Sequence, residues 1–330
     1  MNFRQSLSWL PILGTALMVT LLLSLWAGSL ALSPTELFNV LRGHPDLPAY
    51  STIVLKIRLP RALLAALVGA ALGASGGAFQ AVLRNPLADP YILGVSGGAA
   101  LGAVAALTFG YSSPLVLPSA AFFGACGALF LVYWVAQAHR SSSHTLILSG
   151  VMVGSLASAL LLFLLWMAPA DPVRTAVFWL AGNLDLVDPG WLPWAALWIG
   201  CAFAGLWCQS RALDLFTQGE DVAADLGLNV GFSRMLLFAT AGALTAAAVA
   251  MAGLVGFVGL TVPHVARLFW GGSHRHLLPA SALLGATFLV AADALSRTLL
   301  APAEIPVGVV TALLGAPFFL YLLRKREGGP

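Results

Sequence analysis

The chain of 330 residues is 59% hydrophobic and only 9% charged, with a formal net charge of +3, whereas a typical soluble domain has about 25% charged residues. No aqueous fold hides that much apolar surface, which excludes a soluble enzyme, and so small and dispersed a charge excludes nucleic-acid binding. What remains is an all-α, polytopic membrane protein whose side chains are solvated by the bilayer itself.

A span needs about 20 mainly apolar residues. Ten stretches qualify, near residues 8–31, 61–83, 92–109, 115–137, 145–168, 191–209, 233–252, 254–270, 278–298 and 306–323. The first exceeds the about 7–15 apolar residues of a secretory signal, so it reads as a retained span. In span two, Gly69, Gly73 and Gly77 recur every four residues. This predicts a flat face for close helix packing and a helix running through the interior. The segment Asn85-Pro86-Leu87-Ala88-Asp89-Pro90 is turn-forming. After span five, the residues following Asp171-Pro172-Val173-Arg174 predict a short interfacial helix within 171–184.

The loop 211–232 between spans six and seven departs from its neighbours. Asp214, Glu220, Asp221 and Asp225 carry no basic residue among them. Its core, from Gly219-Glu220-Asp221 through Ala224 to Leu226, predicts a short helix stopped at Gly227 with a weakly apolar face of Val222 and Leu226. A solvated loop and a docking element for a cytoplasmic protein both fit that chemistry. The turn from Gly271 to His276 reads as polar and solvated, and His264 as a packing histidine. Asp293 and Arg297 share a helix face at four-residue spacing, which predicts a local ion pair. Spans two to five and seven to ten each open on a Gly/Ala-rich helix, a faint sign of an inverted internal repeat.

Lys and Arg set orientation. With the N-terminus inside, ten of them flank the cytoplasmic face, and six (Arg42, Lys56, Arg58, Arg61, Arg174 and Arg297) lie outside. The inequality predicts cytoplasmic N- and C-termini. Those six outside charges need a cause.

The chemistry-bearing inventory is almost empty. A phosphate-binding loop requires a lysine after glycine, and neither Lys56 nor Lys325 has one. No H-E-x-x-H occurs, and Cys126, Cys201 and Cys208 all lie in apolar runs. No catalytic residue, cofactor or metal site is therefore expected.

Several segments in order resemble one family. They are Ile57-Arg58-Leu59-Pro60-Arg61, Asn85 through Ser96, Gly256-Phe257-Val258-Gly259-Leu260-Thr261-Val262-Pro263-His264, Glu304 through Thr311, and Leu314-Gly315-Ala316-Pro317. The chain resembles, over nearly its whole length, the permease subunits of bacterial type II ABC importers for vitamin B12, haem and ferric siderophores. The resemblance implies a single ten-span permease domain over 1–330, a homodimer, two cytoplasmic ABC ATPase subunits and a periplasmic substrate-binding protein in the inner membrane. It also implies that Gly219, Glu220, Asp221, Ala224, Leu226 and Gly227 couple to the ATPase, and that Arg58, Arg61 and Arg297 dock the binding protein. The short helix bearing Arg174 would border the gate, where Arg174 meets passing anionic cargo or anchors the helix. The Asp89-Pro90-Tyr91 run favours an iron complex, haem or ferric siderophore, over vitamin B12. An ion-coupled secondary carrier is the rival from a different class.

Overall fold

The computed structural model describes residues 9–327, apart from 29, 31, 44–47, 112, 138–142 and 186–187 and the side chains of 48, 323 and 325–327. Arg4 and Arg140, with the side chains of Lys325 and Arg326, lie outside the described residues.

Every regular element among the described residues is helical. In order the helices are α1 (Trp9–Trp26), α2 (Pro34–Leu41), α3 (Leu59–Val82), α4 (Val95–Thr108), α5 (Val116–Gln137), α6 (Ser143–Met167) and α7 (Ala170–Leu180). Then come α8 (Leu192–Cys208), α9 (Ser210–Gln218), α10 (Glu220–Asp225), α11 (Val230–Ala252), α12 (Val258–Trp270), α13 (His274–Thr298) and α14 (Val307–Glu327). Ten of them, all but α2, α7, α9 and α10, fall on the ten expected spans. Seven of the apolar helical stretches are long enough on their own to cross a bilayer.

The shorter ones are informative. Helices α4 and α12 have 14 and 13 residues, or about 20 Å at 1.5 Å per residue, against about 30 Å of hydrocarbon. Non-helical backbone precedes each, at residues 83–94 and 253–257, broken in the first case by a short 3₁₀ turn, Pro90–Leu93. Such backbone is tolerated at membrane depth only inside protein or along a cavity. Positions three and eight in the series of ten spans correspond under the suspected repeat, so both halves break at the same place.

Helix α3 is the interior helix that its small residues predict. It packs against α11, α12 and α13, and 78% of its best apolar window is buried, against 22% for α6. The contacts explain its composition. A Cβ at Gly69 would lie 2.2 Å from the Gly285 carbonyl oxygen, one at Gly73 2.3 Å from that of Ser281, and one at Gly76 2.0 Å from that of Gly259. Gly77, expected on this face, is not part of it: a Cβ there has 3.7 Å of room. The reason is the helical period. At 3.6 residues per turn, position 77 has drifted by about 80° from position 69, while position 76 lies within about 20° of it.

One expected loop is a helix. His274 opens α13 and is 1% exposed, not solvated. Asp214 of α9 accepts both from its backbone N–H at 2.8 Å and from its ring Nδ1 at 2.7 Å, capping the new helix from outside. Two sequence-distant elements make that cap, so no local pattern announces it.

Candidate functional site

At one end of the bundle the chain gathers the three arginines named from the sequence. A seven-residue π-helical stretch, Thr52–Arg58, runs directly into α3, with Pro60 in its first turn. Arg58 ends the π-helical stretch and Arg61 stands in the first turn of α3. The Arg58 guanidinium donates to the carbonyls of Leu25, Trp26 and Leu30 at 2.8–3.0 Å. Gly28 makes this approach possible, since a Cβ there would lie 2.3 Å from Arg58 Nη2. Arg297 donates to Ser24 and to the Ala27 carbonyl, tying α13 to the same loop.

The expected Asp293–Arg297 pair is present at 3.0 Å. Asp293 does more than pair locally. Its other oxygen accepts from Arg61 Nε at 2.7 Å across 232 residues of sequence. Arg61 also reaches Asp185 at 2.5 Å and Glu304 at 2.8 Å. Burial and the nearby Glu304 and Asp293 carboxylates push the Asp185 carboxyl above the usual aspartate range, although the Arg61 guanidinium pulls it down. Arg58, Arg61 and Arg297 are thus brought together and engaged within the chain; Arg58 and Arg297 are buried, and the Arg61 side chain keeps 9% exposure. The residues still reaching solvent are the acids, Asp185 at 46% and Glu304 at 40% side-chain exposure. This internal engagement accounts for half of the six outside charges that the orientation count left unexplained. Sequence reading missed Asp185 and Glu304, although the excess of arginine over nearby acid at that end is a signal that partners must come from other loops.

The opposite end carries the acidic loop. Helix α10 spans Glu220–Asp225 as expected, between Gly219 at φ 117° and Gly227 at φ 82°, conformations that suit glycine. Glu220 pairs with the buried Arg234 of α11, and Ala223 is fully buried. This fixes the helix on its scaffold. Asp221 and Ala224 face outward, and Val222 and Leu226 stand 45% and 63% exposed. Arg84, at the end of α3, lies beside Gly219. The Asp214 carboxyl beside this loop is raised by burial but lowered further by its His274 hydrogen bonds, leaving it below the ordinary value.

Between the two ends runs a groove of about 580 Å³ along α4 and α6, lined by small and hydroxyl residues including Ser96, Gly97, Gly150, Gly154, Ser155 and Ser158. The short helix α7 that follows α6 holds Arg174 exposed. The Asp89-Pro90-Tyr91 run beside the groove is committed to scaffold. Asp89 caps the 3₁₀ turn by accepting from the Tyr91 N–H at 2.8 Å, Pro90 packs on Gly259, and the Tyr91 hydroxyl bonds the Val255 backbone. His264 is buried and meets Phe319 edge to face, the packing role expected of it.

The sequence pattern of the FecCD transport family matches residues 16–325. The chain belongs to the FecCD transport family. It is 42% identical, over 95% of its length and 92% of the relative's, to an uncharacterized ABC transporter permease protein, YvrB, of Bacillus subtilis (strain 168). It is 41% identical to the vitamin B12 import system permease protein BtuC of Escherichia coli O139:H28, covering 98% of this chain and 96% of BtuC. A solved structure described as an inward-facing conformation of a metal-chelate type ABC transporter superposes with a TM-score of 0.85 at 34% identity, over 95% of this chain and 97% of that one. This FecCD protein is therefore a multi-pass membrane permease of a type II ABC importer and not itself an enzyme.

Proposed function

We propose that two copies of this permease form the path by which a large metal chelate enters the cell, driven by two ABC ATPase subunits and fed by a substrate-binding protein. The observation that carries this reading is α10. A six-residue helix with Val222 and Leu226 exposed beyond the last turn of the spans has no reason to bare apolar side chains to water. A cytoplasmic partner would cover them. The chain holds no phosphate-binding loop, so hydrolysis belongs to that partner.

In this reading the chain lies in the bacterial inner membrane with both termini cytoplasmic, α10 inside and the arginine cluster outside. The internal partners of Arg58, Arg61 and Arg297 give these cations a structural reason to stand on that side. Docking of the binding protein falls chiefly on Arg61, whose exposed partners Asp185 and Glu304 can be exchanged for carboxylates of the incoming protein. Arg58 and Arg297, bonded to main-chain carbonyls, shape the platform. Arg174, exposed on α7, would meet an anionic cargo or anchor the helix at the membrane surface. Asp293 is held by two arginines, which argues against an ion-coupled carrier.

Vitamin B12 is the first cargo to test, given the 41% identical relative named for its import. Haem and ferric siderophores draw support from the 34% identical metal-chelate transporter. The test is reconstitution in liposomes with the ATPase and binding protein, offering cyanocobalamin, haemin and a ferric siderophore in turn. Uptake should require ATP, and purified permease alone should hydrolyse none. Replacing Val222 and Leu226 together by aspartate should release the ATPase. Uptake that follows a pH gradient without ATP would overturn the proposal.

A further inference from the structure

The two breaks in the helical bundle meet at one side chain. Tyr91 sits in the 3₁₀ turn ahead of α4, and its hydroxyl lies between two backbone groups of Val255, in the break ahead of α12. It donates to the Val255 carbonyl at 3.1 Å and accepts from the Val255 N–H at 3.0 Å. A non-helical residue at membrane depth must satisfy both groups from elsewhere, and here a single phenol from the other half of the chain does so. Phe257, two residues on, holds a φ of 68°, a left-handed conformation uncommon for a bulky residue. That break is therefore kept in shape by its surroundings rather than by local preference.

Each turn also touches a different group of helices. On one side, a Cβ at Gly150 of α6 would fall 2.4 Å from the Ile92 carbonyl oxygen. On the other, the backbone at 252–254 meets the turn that ends α7. Asn183 donates to the Ala252 carbonyl, and the Val307 N–H at the head of α14 donates to Gly182. The Phe257 side chain lies against Gly315 of α14. Side by side, then, are α6, the two breaks, and α7 with α14, and the Tyr91 hydroxyl is the polar link in the middle.

We infer that Tyr91 is a positioning residue for transport: its hydroxyl fastens the two broken-helix turns so that α6 on one side and α7 with α14 on the other change position together when the path opens and closes. The inference rests on the importer reading above. A purely structural tyrosine would affect how firmly the protein folds, but not whether α6 moves in step with α7 and α14.

The experiment uses the permease–ATPase complex in nanodiscs, with Cys126, Cys201 and Cys208 changed to serine and one spin label per subunit, at Leu156→Cys on α6 or Leu313→Cys on α14. Each label reports one distance across the dimer, with and without ATP and vanadate. With Tyr91 present, both distances should shift. In Tyr91→Phe, which removes only the hydroxyl, one labelled helix should shift while the other responds about fivefold less, the lower end of typical site-to-site couplings. Equal shifts of both labels in Tyr91→Phe would overturn the link and leave the importer reading intact. No shift of either label with Tyr91 present would overturn both. If Tyr91→Phe does not assemble, hydrogen exchange on the unsubstituted complex decides: residues 90–94 and 253–257 should change protection together on adding ATP, and independent changes would overturn the link.

Discussion

Asp293 offers the sharpest test of how the arginine end is held together. Its carboxylate is 0% exposed, with one oxygen 2.7 Å from Arg61 Nε and the other 3.0 Å from Arg297 Nε. Asp293→Asn keeps the volume but removes the charge, and its amide N–H₂ must face one of the two guanidinium donors. Removing one member of a buried ion pair costs about 3–5 kcal/mol, because the remaining charge is left uncompensated. Arg61 retains Asp185 and Glu304, so most of the loss falls on Arg297, left with the oxygens of Ser24 and Ala27. The double variant Asp293→Asn, Arg297→Met should therefore recover part of the loss, by about 0.5–3 kcal/mol, the range for side chains in one network. The assay is unfolding in detergent of all variants, paired with ATP-driven uptake in vesicles. The single variant should unfold earlier, while the uptake that survives stays insensitive to a proton gradient. A stable Asp293→Asn protein would refute the structural assignment, and gradient-dependent uptake lost on substitution would make Asp293 a coupling carboxylate instead.

Other outcomes follow from the same geometry. Gly76→Ala must part α3 from the Gly259 backbone and should cost about 1–3 kcal/mol, whereas Gly77→Ala, with 3.7 Å of room, should unfold like the unaltered protein; equal effects would show that the packing face was misassigned. Arg61→Gln should weaken capture of the binding protein, whereas Asp185→Asn should strengthen it by up to about fivefold, since a competing half-exposed pair contributes about 0.2–1 kcal/mol. Weaker capture by Asp185→Asn would mean that the acid itself docks. Because Asp214 is held below the ordinary value of about 3.9, its contribution is complete above that pH and is lost as pH falls through the depressed value. Melting curves across pH 3–7 should show this loss, and Asp214→Asn should be less stable than the unaltered protein at pH 7 but no longer differ from it at the acid end.

The sequence by itself determined the class of molecule and the course of the chain through the membrane. Apolar length is a local property, and the bilayer reads it directly, so the ten spans, the interior helix α3, the short helix α7 and α10 with its stop at Gly227 were all legible. The Asp293–Arg297 pair was legible for the same reason, since four-residue spacing fixes it on any helix. Whatever depended on distant segments meeting was left to the tertiary structure. Only there does Arg61 find Asp293, Asp185 and Glu304, and Arg58 the carbonyls of Leu25, Trp26 and Leu30. Only there does Asp214 cap α13 and withdraw His274 from solvent. The substitution of Gly76 for Gly77 on the packing face was decided by 3.6-residue drift together with where α12 crosses α3. The two broken spans are joined through Tyr91 and Val255, 164 residues apart, and no one-dimensional pattern encodes a hydrogen bond across that distance. A polar group in hydrocarbon must be satisfied by whatever the fold brings to it, and that partner is chosen in three dimensions.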